Sequence, residues 1–278
     1  MTISVNTNSA AMIALENLNS TQNNLNMAQN EISTGLAVNT AQDNASVWAI
    51  AQGQRADVSA MGAVSSSLNR ATSIADVAMT AGTSISDLLN QLKAKIVSAM
   101  DPSQDANSRT LLNNDFQSLL QQITNTANNA DFDGANILDG SLTNNIQFLA
   151  NTDGTSVITL SVQNMSLGQG IVTIPSSSDI LTVTDATAML AAVNTSITNV
   201  NESLGNLGSQ ANEIQAQNTF ASKLTDVLQT GIGNLVDADM AKESASLQAL
   251  QVQQQLGAQS LSIANQTPDV ILSLFKSS

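Results

Sequence analysis

The side chains that could carry chemistry in this chain are few, and nearly all are carboxylates. The 278 residues include no histidine and no cysteine. That removes imidazole bases, Ser–His and Cys–His nucleophile pairs, imidazole or thiolate metal ligands, and disulfides. Asp237 and Asp239 are close enough to act as an acid–base pair. The run Asp237-Ala-Asp239 also makes a good helix start, where carboxylates meet unpaired amides and the positive end of the helix dipole. Capping is the expected role. Asn129-Ala-Asp131-Phe-Asp133-Gly134 fits the first half of a calcium loop, but the twelfth position, which needs a bidentate carboxylate, is Gly140. Gly231-Ile-Gly233 lacks the third glycine and the preceding strand of a dinucleotide-binding turn. Asn-x-Ser/Thr triplets at Asn19, Asn44, Asn164, Asn194 and Asn201 are what chance gives in so Asn- and Ser-rich a chain. No catalytic, cofactor-binding or metal-binding residue is assigned, and no cofactor is expected.

Composition narrows the class further. Twenty-two acidic against eight basic residues give a net charge of −14, which disfavours nucleic acid and anionic membrane surfaces, since both need clustered Lys and Arg. Aromatic residues make up 2% of the chain, with Trp48 the single tryptophan. The apolar content is mostly Ala, Leu, Ile and Val, which suits long, thin helix-on-helix packing better than a thick core. The opening Met1-Thr-Ile-Ser-Val-Asn-Thr-Asn has neither a basic n-region nor an apolar h-region, so Sec export is not expected.

The elements that would position any surface are clearest at the two ends. From Ser244 through Thr267 there is no charged residue, and Glu16 and Glu31 are the only ones in the first forty. Leu15, Leu18, Leu25, Ala28 and Ile32 fall at helical spacing. Leu247, Leu250, Leu261 and Ala264 do the same near the other end, with Ala249, Val252, Leu256 and Ile263 on a neighbouring face. A solvated helix carries a charged outer face, and these two have none. The terminal stretch is also too rich in Gln to span a bilayer, where each amide would need a partner. The expectation is two terminal helices lying side by side and covered on most remaining sides by copies of the same chain. Ser33-Thr-Gly35 reads as the stop of the first, with Gly35 as its C-cap.

Between the ends, Asp43 to about Met100 reads as one long helix, resuming its stripe after Gly82, with a polar lapse at Gln54. Asp101-Pro102-Ser103 reads as a turn. A third helix carries Leu111, Leu112, Phe116, Leu119, Leu120, Ile123 and Ala127, ended by Asn128 to Gly134. Residues 135 to about 184 turn to Gly, Ser, Thr and alternating β-branched residues. Asn145 to Leu149 and Val157 to Val162 read as a β-hairpin around Asp153-Gly154, with Ile171 to Ile174 as a further strand. Asp185 to Val236 returns to helix, with Gly231 and Gly233 loosening the joint to the last one. The fold class is mainly α: a long antiparallel helical hairpin or coiled-coil bundle with a small mid-chain β-hairpin. The expected domains are 1–42 with 236–278, and 43–235.

The two ends resemble the bacterial flagellins. Ile3-Ser-Val-Asn-Thr-Asn-Ser-Ala, Leu18-Asn-Ser-Thr-Gln-Asn-Asn-Leu and Ile32-Ser-Thr-Gly-Leu-Ala-Val-Asn-Thr-Ala-Gln-Asp43 are similar to the family's opening, with Gln42 in place of its usual lysine. Val236-Asp-Ala-Asp-Met-Ala-Lys-Glu-Ser and Ala264-Asn-Gln-Thr-Pro-Asp-Val-Ile-Leu-Ser-Leu-Phe are similar to its close. The resemblance covers about 1–140 and 185–278, so this is a short form without the family's variable outer domains. It implies a non-enzymatic subunit of an extracellular filament, exported through the flagellar type III route without a cleaved signal peptide. It further implies partners of the same kind: other copies, sibling flagellins, an export chaperone, and hook-associated and cap proteins. The inner-core subunit contacts would fall on Leu15, Leu18, Leu25, Ile32, Leu247, Leu250, Val252, Leu256, Leu261 and Ile263. Flagellins sensed by the innate receptor TLR5 present an arginine and a leucine four apart, with a glutamate on the next helix. Those positions hold Gln91, Lys95 and Asp115 here, which implies weak or no recognition. A hook–filament junction protein shares both signatures in weaker form and is the alternative. An enzyme carried on the same scaffold is the third reading, opposed by the missing His and Cys.

Overall fold

The computed structural model describes residues 7–276, and side chains through 266. Ile3 to Asn6 of the opening signature, and the side chains of Thr267 to Phe275 in the closing one, lie outside the described residues. Five helices and two strands follow in the order α1 (Ser9–Thr34), α2 (Ala45–Ala99), α3 (Ala106–Asn128), β1 (Ile146–Leu149), β2 (Val157–Leu160), α4 (Val183–Val236) and α5 (Met240–Lys276). The chain divides into two compact units, 1–56 with 227–278, and 57–226. The division falls inside α2 and α4. Packing sets it: Ala51, Ile232 and Val236 are buried in the first unit, while the continuous core of the second begins at Met61.

Local rules explain the helix ends. Asn8 caps α1 by accepting a hydrogen bond from the Ala11 amide at 3.0 Å, and Gly35 ends it in the left-handed region (φ 73°). Asn44 accepts from the Val47 amide at the head of α2, and Asp105 from the Ser108 amide at the head of α3. Asp101 accepts from the Ser103 amide at 2.8 Å in the expected turn. Arg109 reaches back to donate to the carbonyls of Ala99 and Asp101, covering acceptors that the end of α2 leaves open.

In the second unit α2 and α4 run antiparallel. Ser65 donates to Asn218, which donates to Asn69, and Ser86 donates to Asn201. The contribution of α4 to the core recurs at strict seven-residue steps, Ala186, Val193, Val200, Leu207, Ile214 and Ala221, as in coiled-coil packing. Phe116, Leu120 and Ile123 of α3 pack into the same core, with Phe148, Ile158 and Leu160 of the hairpin.

Helix α2 runs unbroken through Gly82, as read from the sequence; a Cβ there would lie 2.8 Å from Leu204 Cδ2, so the glycine lets α4 approach closely. Three details of the sequence reading are corrected. The hairpin exists, with Ile146 opposite Leu160 and Leu149 opposite Val157, but Asp153-Gly154 sits inside a longer loop closed by the Ala150 amide on the Ser156 carbonyl and by Asn151. Ile171 to Ile174 is not a strand. The Thr173 amide donates to Ser196 Oγ on α4, and Asn199 donates to the carbonyls of Gly170 and Ile171, so helix side chains take the place of a strand partner while Val172 and Ile174 are buried. Gly231 and Gly233 do not loosen a joint: α4 continues to Val236, and the space at Gly233 is taken by the Asp237 carboxylate.

Phe116 is fully buried in the second unit. Phe116→Ala should cost that unit about 3–5 kcal/mol, read as a fall in urea midpoint by far-UV circular dichroism.

Candidate assembly surface at the terminal helix pair

Helices α1 and α5 pack against each other along their lengths, antiparallel. Asn8 Nδ2 donates to the Ala264 carbonyl at 2.7 Å near one end, and Leu36 bridges Asp237 at the other. The two connectors clasp through backbone bonds: the Ala37 and Val38 amides donate to the Val236 carbonyl, and the Ala238 amide to the Gly35 carbonyl. Asp239 caps α5 by accepting from the Ala241 and Lys242 amides, as expected. Asp237 does not share that role, because it still belongs to the last turn of α4, its amide donating to Gly233.

The seam alternates large with small. Gly257 faces Leu18, and a Cβ there would come within 3.3 Å of Leu18 Cδ1, so the glycine sets how closely the axes approach. One turn on, Gln254 Nε2 donates to Gln22 Oε1 at 2.5 Å, both side chains half-buried. A lone amide pair among apolar contacts fixes register, because a slipped pairing would bury each amide against hydrocarbon. Beyond it lie buried Leu25 and Ala28, opposite half-buried Leu250 and Leu247.

The ten sequence-read contact positions therefore split into two groups. Leu18, Leu25, Ile32, Leu247, Leu250 and Leu261 are buried or half-buried. Leu15, Val252, Leu256 and Ile263 are 47%, 55%, 56% and 61% exposed, joined by Met12, Ile13 and Met27. Hydropathy alone could not separate the groups, since both have helical spacing. The Gln22–Gln254 pair was legible only as two amides at seam positions.

Electrostatics in this unit are sparse. Asp43 accepts from the amides of Asn39 and Thr40 and from the Thr40 hydroxyl; the Thr40 amide bond leads in holding its carboxyl below the usual carboxylate range. Burial, and next the facing Glu243 carboxylate, push Glu31 up.

The remaining candidates lie elsewhere. Gln91 is exposed on α2, and Lys95 Nζ pairs with Asp115 Oδ2 at 2.6 Å. Asp131 accepts from the Gly134 amide, and Asp133 pairs with Arg70 at 2.9 Å, so these carboxylates already serve the turn. Among the described residues, no His, Cys, Asp and Glu group is arranged to hold a metal, and no helix is long and apolar enough to cross a membrane.

Residues 5–143 match the bacterial flagellin N-terminal helical region, and residues 190–275 the bacterial flagellin C-terminal helical region. The chain belongs to the bacterial flagellin family. It is 48% identical to the flagellin FljJ of Caulobacter vibrioides over 280 residues, 99% of each chain. It is 37% identical to a flagellin of Brucella melitensis over 281 residues, 98% of this chain and 99% of that one. In fold this flagellin is also similar to a putative flagellar hook-associated protein from Vibrio parahaemolyticus, with a TM-score of 0.59 at 13% identity, over 70% of this chain and all of that one.

The amide pair gives a specific expectation for this flagellin. Gln22→Leu strands the Gln254 amide and should destabilise the helix pair, whereas Gln22→Leu with Gln254→Leu should restore it. The coupling between the two changes should be about 1 kcal/mol, read from the urea transition of a double-mutant cycle.

Proposed function

We propose that the chain is a structural subunit that self-assembles into the extracellular flagellar filament, its terminal helices being buried as each copy is incorporated. The observation that carries this is the exposed apolar set on α1 and α5, Leu15, Val252 and Leu256 among it, on helices almost without charge. One helix covers a single stripe of the other; the rest needs cover from neighbouring copies. In this reading 1–42 with 236–278 forms the inner tube, and 43–235 the outer one. Folding of the termini is coupled to polymerisation and no reaction is catalysed. Sibling flagellins of the same length would co-assemble. Export follows the flagellar type III route with a chaperone, and growth occurs under a cap on hook-associated proteins. The likeness to a hook-associated protein keeps a junction adaptor as the alternative; such a protein would not elongate into long filaments.

Seeded polymerisation separates the roles. Leu256→Asp should cut elongation from filament fragments at least tenfold while leaving α1 paired with α5. Leu25→Asp or Leu250→Asp should abolish filaments by breaking the pair itself, with 57–226 still folded. Filaments of normal length from all three would overturn the reading, and wild-type protein that never elongates would favour the adaptor.

The receptor positions support a second element of the proposal, that this flagellin is poorly sensed by TLR5. Gln91 lacks the guanidinium fork, and the ammonium of Lys95 is engaged by Asp115 on the adjacent helix rather than offering an apolar anchor. Gln91→Arg with Lys95→Leu and Asp115→Glu should raise reporter activation at least tenfold over the wild type. Full activation by the wild-type protein would refute the idea.

A further inference from the structure

At one end of the terminal seam two acids face each other. The antiparallel register that joins Gln22 to Gln254 carries Glu31 of α1 opposite Glu243 of α5, and both side chains are half-buried. Elsewhere the seam is complementary, with Leu18 on Gly257 and amide on amide. The charges around Glu31 do not balance it. From α5 come Glu243 and Lys242, and from the connector Asp43. Asp43 is engaged by Thr40 and Asn39, which leaves Lys242 as the single cation among these acids. The other charged residue of α1, Glu16, is fifteen positions away, about 22 Å along a helix.

We propose that Glu31, set opposite Glu243, is a proton-operated brake on the pairing of α1 with α5: at neutral pH the facing carboxylates weaken closure, and a proton on Glu31 releases it. The inference rests on the reading that closure accompanies incorporation into the filament, whose regulation it would supply. In an unassembled subunit at neutral pH the brake disfavours pairing, while burial among neighbours or mild acid favours it.

The sign follows from the shift. Burial first, and Glu243 second, raise the Glu31 carboxyl above its ordinary 4.5, so the closed pair binds a proton more readily than the open one. The penalty is complete above the raised value, falls as pH drops through it, and is gone below 4.5. Asp43 is held below its ordinary 3.8 by Thr40 and Asn39 of its own turn, so its carboxylate stabilises that turn rather than the closure. Closure is therefore stronger in weak acid than at neutral pH.

A thiol reporter tests this in the full-length chain. A Cβ at Gly257 would lie 3.8 Å from Leu18 Cβ, within the disulfide range of about 3.5–4.5 Å, and the chain has no cysteine to interfere. With Leu18→Cys and Gly257→Cys in a glutathione buffer, the oxidised-to-reduced ratio reads closure. Backgrounds are compared at each pH, so the thiols' own titration cancels. Glu31→Gln should raise the ratio about twofold at pH 7, and Glu31→Lys further; the glutamine advantage should shrink as pH falls through the raised value and vanish below 4.5. Equal ratios in all three backgrounds at pH 7, or a glutamine advantage that persists in acid, would overturn the brake. Seeded polymerisation of the same proteins is scored separately, so failure to elongate would count against the filament reading alone.

Discussion

The constraint on which the first unit depends is that a helix without charge must be kept from water by protein on every side. Apart from Glu16 and Lys242, the described exposed positions of α1 and α5 are amides, hydroxyls and hydrocarbon, which hydrate too poorly to make a stable solvated face and carry too many amides for a bilayer. Pairing the two helices covers the Leu18, Leu25 and Leu250 stripe and leaves Leu15, Val252 and Leu256 outside it. Among the described residues these positions stay exposed, and that incompleteness is what a polymerising subunit needs.

The second unit solves the same packing problem within one chain. Its helices α2 and α4 keep a heptad core of small and branched residues, and the two are fastened to each other at its edges by Ser and Asn side chains. The segment from Met165 to Ile180 is held the same way, with Ser196 and Asn199 of α4 supplying donors and acceptors that a neighbouring strand would otherwise offer. Amide and hydroxyl locks of this kind are less sensitive to salt than surface ion pairs, whose contribution is small and screened.

Much of the fold was legible because helical periodicity is a strong signal over long stretches. Five helices, their caps at Gly35 and Asp239, and the existence of a hairpin between 145–149 and 157–162 follow local rules. The misreadings share one cause. Gly231 and Gly233 look like helix breakers in isolation, yet the helix continues through both, and at Gly233 the Asp237 carboxylate comes too close for a Cβ. Ile171 to Ile174 has the composition of a strand, but strand formation requires a partner, and Ser196 supplied one from a helix.

Composition and periodicity by themselves determined that the chain is helical, that its ends are charge-poor and must be covered, and that neither imidazole nor thiol chemistry is available. These are properties of residue types and their spacing, which need no partner to define. Only the tertiary structure decided which apolar residues meet inside the chain and which stay outside it, that Gln22 meets Gln254, and that Glu31 confronts Glu243. Register and facing are set by how two distant segments approach, and nothing within either segment encodes the other's position.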